Sequence, residues 1–301
     1  MELATPITIY WDLPSGMADT CSLQRMCADI IACRPLMLHL RDPGPEIGEG
    51  TVAVLDRLKG VPIAVSLTIP PTALDGAGGT LSRDPGLKEI LLAVEHVEDI
   101  SLPLQEDARG GDEVRPGAHQ PVMGISFTVT KENWRELPAL VIFCREQGIP
   151  RLVLPMQRLY NAETPFFLDR REQRTLAASL AAAGGVEGLN LTIHDPFLWR
   201  AFNPGVPFPQ GGCQAANTML VIGPNGDVYP CPTLPVRLGN IGEASLKEIV
   251  VSSGKKEFRR RLLEHPAGCL GCMELAECRG GCRGRAYVNH GSLAGADVAC
   301  G

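Results

Sequence analysis

The order of the cysteines near the C-terminus limits what this chain can fold into more than any other feature. Seven of the eleven cysteines occur as Cys213, twelve residues, Gly226, four residues, Cys231, then Cys269-x2-Cys272-x5-Cys278-x3-Cys282, and Cys300 after seventeen more. A buried structural cysteine acts as a small hydrophobe and has no reason to recur at short fixed intervals. Clustered thiols at such spacing are what soft metals and iron–sulfur clusters require. The x2 pair lets Cys269 and Cys272 reach one centre, and Cys278 and Cys282 are spaced one helical turn apart. Gly280 and Gly281 let backbone amides approach a cluster's sulfurs. Tetrahedral zinc is the alternative occupant, because Cys-x2-Cys pairs serve zinc as well.

Bulk properties fit a soluble chain of more than one unit. At 301 residues the length exceeds what a single core usually organises. Hydrophobic residues make up 45% and charged residues 21%, which is ordinary for a globular protein. A net charge of -6 gives no basic field for nucleic acid. No apolar run reaches the roughly 18–20 residues that span a bilayer. The start, MELATPITIYWDLP, has neither the basic nor the apolar region of a signal peptide. A cytoplasmic chain with reduced thiols is the expectation, which favours metal ligation over disulfides.

Residues 1–195 alternate β-rich runs with helical stretches. Strands are expected at 7–11, 36–40, 63–69, 100–104, 124–130, 151–155 and 189–195, and helices near 20–32, 50–59, 85–95, 131–147 and 169–183. In the fourth of these helices Trp134, Leu137, Val141 and Cys144 recur at helical spacing, and Gly148 supplies a stop. Such alternation indicates βαβ units on a parallel sheet, here a complete or partial (β/α) TIM-like barrel with its site at the C-terminal strand ends. From Pro196 the composition changes. The run 195–212 reads as a Pro/Gly-rich connector, 218–232 as a hairpin turning at Asn225-Gly226, and 245–265 as helical, with cysteine-bearing loop beyond. Segment 105–120 reads as an exposed loop.

The cysteine spacing resembles the seven-cysteine signature of the SPASM domain, a C-terminal extension of many radical S-adenosylmethionine (SAM) enzymes that modify peptides and proteins. PNGDVYPC (224–231) and LGNIGEASLKEI (238–249) are similar to that family too. The resemblance implies a SPASM unit over 196–301 and two [4Fe–4S] clusters. It assigns Cys269, Cys272, Cys278 and Cys300 to the second cluster and Cys213, Cys231 and Cys282 to the first. The family's extra upstream cysteine is missing from Pro207–Gly212, which implies an open iron site, a ligand from a partner, or lower nuclearity in the first cluster.

Residues 1–195 look like a radical SAM barrel, yet the C-x3-C-x2-C loop after the first strand is absent. Cys21, Cys27 and Cys33 stand there at six-residue steps, which point successive side chains about 240° apart on a helix. A Gly-Gly-Glu run after the second strand is missing as well, the sequence there being Arg41-Asp42-Pro43-Gly44-Pro45-Glu46. SAM binding and cleavage are therefore not expected. The chain resembles the non-radical SPASM component of a GeoRSP-type peptide-maturation system. That likeness implies an electron relay or docking partner for a radical SAM enzyme or its precursor peptide. Two alternatives stand beside it: a self-sufficient radical SAM enzyme using Cys21, Cys27 and Cys33, and a zinc-stabilised scaffold. Elsewhere, His39, the His194-Asp195 pair and Cys144 read as structural. Arg158 and the run Lys255, Lys256, Arg259, Arg260 and Arg261 read as solvated.

Overall fold

The computed structural model describes residues 3, 5–15, 19–74, 81, 84–100, 120–161, 164–209 and 212–300. Seven parallel strands come first: β1 (Thr8–Asp12), β2 (Met37–Arg41), β3 (Ala64–Ile69), β4 (Leu87–Val94), β5 (Val122–Phe127), β6 (Arg151–Leu154) and β7 (Asn190–Ile193). Helices α1 (Thr20–Cys33), α2 (Glu49–Leu58), α3 (Leu137–Glu146) and α4 (Arg170–Ala182) connect them. Then follow α5 (Pro196–Phe202), β8 (Met219–Ile222), β9 (Asp227–Tyr229), β10 (Gly239–Asn240), α6 (Leu246–Val251) and α7 (Ser253–Leu263). Two short helices end the chain, α8 (Leu275–Cys278) and α9 (Arg283–His290).

All ten strands form one sheet in the order β10-β9-β8-β1-β2-β3-β4-β5-β6-β7. It is an open, partial barrel, as the βα alternation leads one to expect. β8 pairs parallel with β1, Thr8 opposite Met219, so the sheet runs on past residue 195 into the cysteine-bearing region. β9 returns antiparallel to β8, through a turn in which the Gly226 N–H donates to the Gly223 carbonyl. Gly226 sits at φ 82°, a conformation an L side chain resists, which is why glycine follows Asn225 there.

The barrel strands turn an apolar face outward. Ile9, Trp11, Leu38, Leu40, Val65 and Leu67 pack outward against α1 and α2 and are almost wholly buried. Ile125, Phe127, Leu152 and Leu154 do the same against α3 and α4. Cys27, Cys33 and Cys144 belong to these apolar layers.

Three sequence expectations fail locally. Residues 85–95 form β4, not a helix: Ile90, Leu91, Leu92 and Val94 are buried on both faces of a parallel strand, and such a run carries no period that separates it from a buried helix. The connector after Pro196 contains α5, started by the Asp195 carboxylate, which accepts from the N–H groups of Phe197 and Leu198. The helical stretch 245–265 is split at Ser252, whose extended backbone ends α6 while its hydroxyl caps α7. The strand expected at 100–104 and the loop expected at 105–120 fall, apart from Ile100 and Gln120, outside the described residues.

The barrel interior is polar, whereas closed barrels of this class are filled by branched apolar side chains. Glu89 of β4 pairs with Arg151 of β6 at 2.8 Å, their side chains 6% and 11% exposed. Arg151 also donates to the Thr192 hydroxyl at 2.7 Å, and the guanidinium holds the Glu89 carboxyl below its usual range against the opposing effect of burial. Breaking a buried pair strands the remaining charge, at a cost of about 3–5 kcal/mol. Glu89→Ala is therefore expected to lower unfolding free energy by about that amount at neutral pH in urea titrations, and Glu89→Ala with Arg151→Met to recover most of it.

Candidate metal centres and the barrel interior

The lumen and the cysteine-bearing region meet along the open side of the barrel. A cavity of about 840 Å³ occupies the lumen, with Tyr10, His39, Arg41, Glu89, Arg158 and His194 among its walls. Tyr10 stacks on His39 with ring centroids 4.7 Å apart, and its hydroxyl lies 3.4 Å from Nε2 of His194. Burial lowers both histidines to about 4, assisted at His194 by Arg158 and Arg151, so both are neutral at pH 7. Arg158 is not solvated, contrary to its sequence reading. It pairs with Asp12 at 3.2 Å at the end of β1, where the Tyr160 hydroxyl also donates to the Asp12 carboxylate. The start of the β1–α1 connection is thus held by an ion pair.

Cys21, Cys27 and Cys33 do not come together at that connection. All three lie on α1; Cys21 is exposed, while Cys27 and Cys33 are buried against the sheet with their thiols pushed up to about 11 by desolvation. Three thiolates on one cluster face would require α1 to unwind.

The other seven thiols form two groups. Cys231 feels Cys213 and Cys282, and burial raises all three above the ordinary thiol range, Cys282 to about 11. The Thr233 hydroxyl bridges this first group, 3.3 Å from the Cys231 sulfur and 3.6 Å from that of Cys282. Leu159, next to Arg158 in the cavity wall, donates its N–H to the carbonyl of Pro232 at 3.0 Å, so the chain beside Cys231 lies against the β6 end of the lumen. In the second group Cys269 feels Cys278, Cys300 and Cys272, and Cys300 feels Cys278 and Cys272. Cys272 is exposed, and its neighbour Met273 is 98% exposed. Four thiols match the ligand count of a cubane cluster; the first group has three. Among the described residues no three His, Cys, Asp or Glu side chains are drawn together closely enough to hold one metal ion. A metal's positive charge would favour the thiolate form of these buried cysteines.

Cys278 and Cys282 do not share a helix, as their spacing suggested. α8 stops at Cys278 because Arg279, Gly280 and Gly281 run left-handed at φ 52°, 91° and 65°. Cys282 then caps α9, its sulfur accepting from the Arg285 N–H at 3.5 Å. A Cβ on Gly281 would lie 2.6 Å from the Asp297 carboxylate. That carboxylate accepts from the Cys282 N–H at 2.6 Å and from Arg285. The basic run on α7 is solvated at Lys256, Arg260 and Arg261, as its sequence reading has it, but not at its other two members. Lys255 and Arg259 are buried, and Arg259 donates to the carbonyls of Cys213 and Ala215 at 2.6 and 3.0 Å. Arg260 is spent on Glu257 and Glu264.

Sequence reasoning passed over Thr233, Arg283, Arg285 and Asp297, because isolated polar residues in cysteine-rich loops carry no spacing signal. Gly284 was passed over as well. A Cβ there would be built into the Thr233 carbonyl and push the Cys231–Thr233 loop away from Cys282. Gly284→Ala is expected to lose iron from the first group and keep it in the second, read by iron analysis and EPR after anaerobic reconstitution.

Residues 213–273 match the model of the SPASM family, described as an iron-sulfur cluster-binding domain. Cys278, Cys282 and Cys300 lie beyond the matched stretch. Among solved structures the chain is similar to SuiB of Streptococcus suis, at TM-score 0.62 and 16% identity over 100% of this chain and 78% of SuiB. The complex of SuiB with its precursor peptide SuiA matches at TM-score 0.66 and 17% identity, over 99% of this chain and 76% of SuiB. anSMEcpe with bound AdoMet and the Cp18Cys peptide matches at TM-score 0.65 and 16% identity, over 98% and 94%. Identities this low speak to fold alone. Residues 213–273 thus carry the match to an iron–sulfur cluster-binding SPASM domain, in a chain whose fold is similar to those of SuiB and anSMEcpe.

Proposed function

We propose that this chain is a cluster-bearing accessory protein that works beside a radical SAM peptide-modifying enzyme and does not itself cleave SAM. Residues 1–195 serve as the barrel body and 196–301 as the cluster unit. Cys269, Cys272, Cys278 and Cys300 hold one [4Fe–4S] cluster, and Cys213, Cys231 and Cys282 hold another with one iron left open or ligated from outside. The observation that carries this reading is the contrast between two sets of cysteines: seven thiols gather in two groups, while Cys27 and Cys33 are sunk in the α1 core. With the Asp12–Arg158 pair at the end of β1, nothing described there supplies three thiolates for the iron that would bind SAM.

When bound, the clusters supply one-electron chemistry; the protein's own part is to hold, bury and tune them. The chain beside Cys231 of the first group lies against the lumen and the second group presents Cys272 at the surface, an order suited to passing electrons between a bound peptide or partner and the outside. The precursor peptide SuiA in a SuiB structure and the Cp18Cys peptide in an anSMEcpe structure make a peptide the favoured occupant of the lumen side. A role of the GeoRSP type, in the cytoplasm where thiols stay reduced, fits these features. No described helix is long and apolar enough to cross a membrane.

Anaerobic reconstitution with iron counting, followed by dithionite and SAM, tests the reading. The expected result is up to about eight irons per chain and no release of 5′-deoxyadenosine, because two cubanes without a SAM site account for that iron. About twelve irons with dithionite-dependent SAM cleavage would assign the chain to self-sufficient radical SAM enzymes. Replacing Cys272 and Cys278 together is expected to abolish turnover of the partner enzyme while leaving complex formation intact.

A further inference from the structure

Two arginines leave the same turn of α9 with equal burial and opposite surroundings. Arg285, 3% exposed, is ion-paired with Asp297 at 2.7 Å and with Asp195. Arg283, 2% exposed, forms no ion pair with a carboxylate among the described residues. Its Nη1 donates to the Glu264 carbonyl at 2.8 Å, its Nη2 donates to the Leu293 carbonyl, and its Nε–H is buried without any partner. The carboxylate that acts on it, that of Glu264, is exposed and held by Arg260 at 2.8 Å.

A guanidinium cannot shed its charge, and a desolvated cation without a countercharge is strongly destabilising. The remaining groups that act on Arg283 are Cys213 of the first thiol group and Cys269 of the second. Both thiols in turn feel Arg283. Geometry agrees: Arg283 directly follows Cys282 of the first group, and a Cβ on Gly280, in the turn between Cys278 of the second group and Cys282, would lie 3.7 Å from its Nη1. Arg259 acts on Cys213 of the first group and Arg170 on Cys300 of the second, each on one group alone, and the neighbouring cation Arg285 is already balanced.

We propose that Arg283 is the shared countercharge of the two metal centres, its buried guanidinium balanced by both ionised thiolate sets at once and tuning both. This rests on the cluster reading above. One-electron reduction adds a negative charge to a cluster, and a fixed cation in a dry site favours the more negative state. Arg283 thus raises the potentials of both centres together and weakens the repulsion between them. A lysine keeps the charge but not the planar fork; a methionine keeps the volume and loses the charge.

The test uses the full chain, reconstituted anaerobically with iron and sulfide, and follows both clusters by EPR at poised potentials. The expected result is a downward shift of both midpoints in Arg283→Met, with most of each shift restored in Arg283→Lys. Unmoved midpoints, a shift of one centre alone, or a lysine variant displaced as far as the methionine variant would overturn the proposal. If Arg283→Met fails to load its clusters, Arg283→Lys must load both, and a lysine variant that also fails overturns it. Wild-type protein that takes up no iron would instead remove the cluster reading beneath it, whereas a fully loaded Arg283→Met with wild-type midpoints removes Arg283 alone.

Discussion

The ion-paired Arg285 ties the two parts of this chain together. Its guanidinium reaches Asp297 in the C-terminal loop, Asp195 at the start of α5 and the Phe166 carbonyl after β6. Asp195 spends its other oxygen on the N–H groups that open α5, and Asp297 accepts the Cys282 N–H. One buried cation therefore fixes where the barrel ends, where α9 begins and where the Cys282 sulfur points. Removing it would leave two carboxylates facing each other in a dry site, a loss of about 3–5 kcal/mol in comparable buried pairs. The last residues are bound to the barrel as well: Arg170 of α4 donates to the Cys300 carbonyl at 3.0 Å, and Gln173 donates to the Ala299 carbonyl at 3.2 Å. Thiols far apart in sequence can hold a steady spacing only on such a frame.

The same logic of balanced charge runs through the barrel. Its outer layer is apolar and tightly packed, while its interior keeps Glu89 with Arg151 and Asp12 with Arg158. Neutral His39 and His194 lie around Tyr10 between these pairs. Filled in this way, the lumen has polar walls, and through the Leu159–Pro232 hydrogen bond its edge is joined to the chain beside Cys231. Pairing of β8 with β1 makes that adjacency possible, because it lays the cysteine-bearing hairpin along the open edge of the barrel sheet.

Much of this was legible in the sequence. The βα alternation gave the parallel sheet, since Trp134, Leu137, Val141 and Cys144 keep helical period and each is buried. The Asn225-Gly226 turn was readable because only certain residues tolerate its backbone. β4 was not, because a strand buried on both faces loses the alternation that marks strands. The turn between Cys278 and Cys282 misled in the same way: spacing of four suits a helix, but two glycines break it. The charged partners of the cysteines were invisible. Arg285 meets Asp195 across ninety residues, and no local pattern announces so distant a pairing.

The division of seven thiols into two independent centres is tested most directly by comparing Cys231→Ser with Cys272→Ser after identical anaerobic reconstitution. Iron analysis with Mössbauer spectroscopy should show each variant losing the iron of its own group and keeping the other cluster intact. Two variants that lose the same iron, or a wild-type protein that binds zinc in place of iron, would contradict two separate iron–sulfur centres.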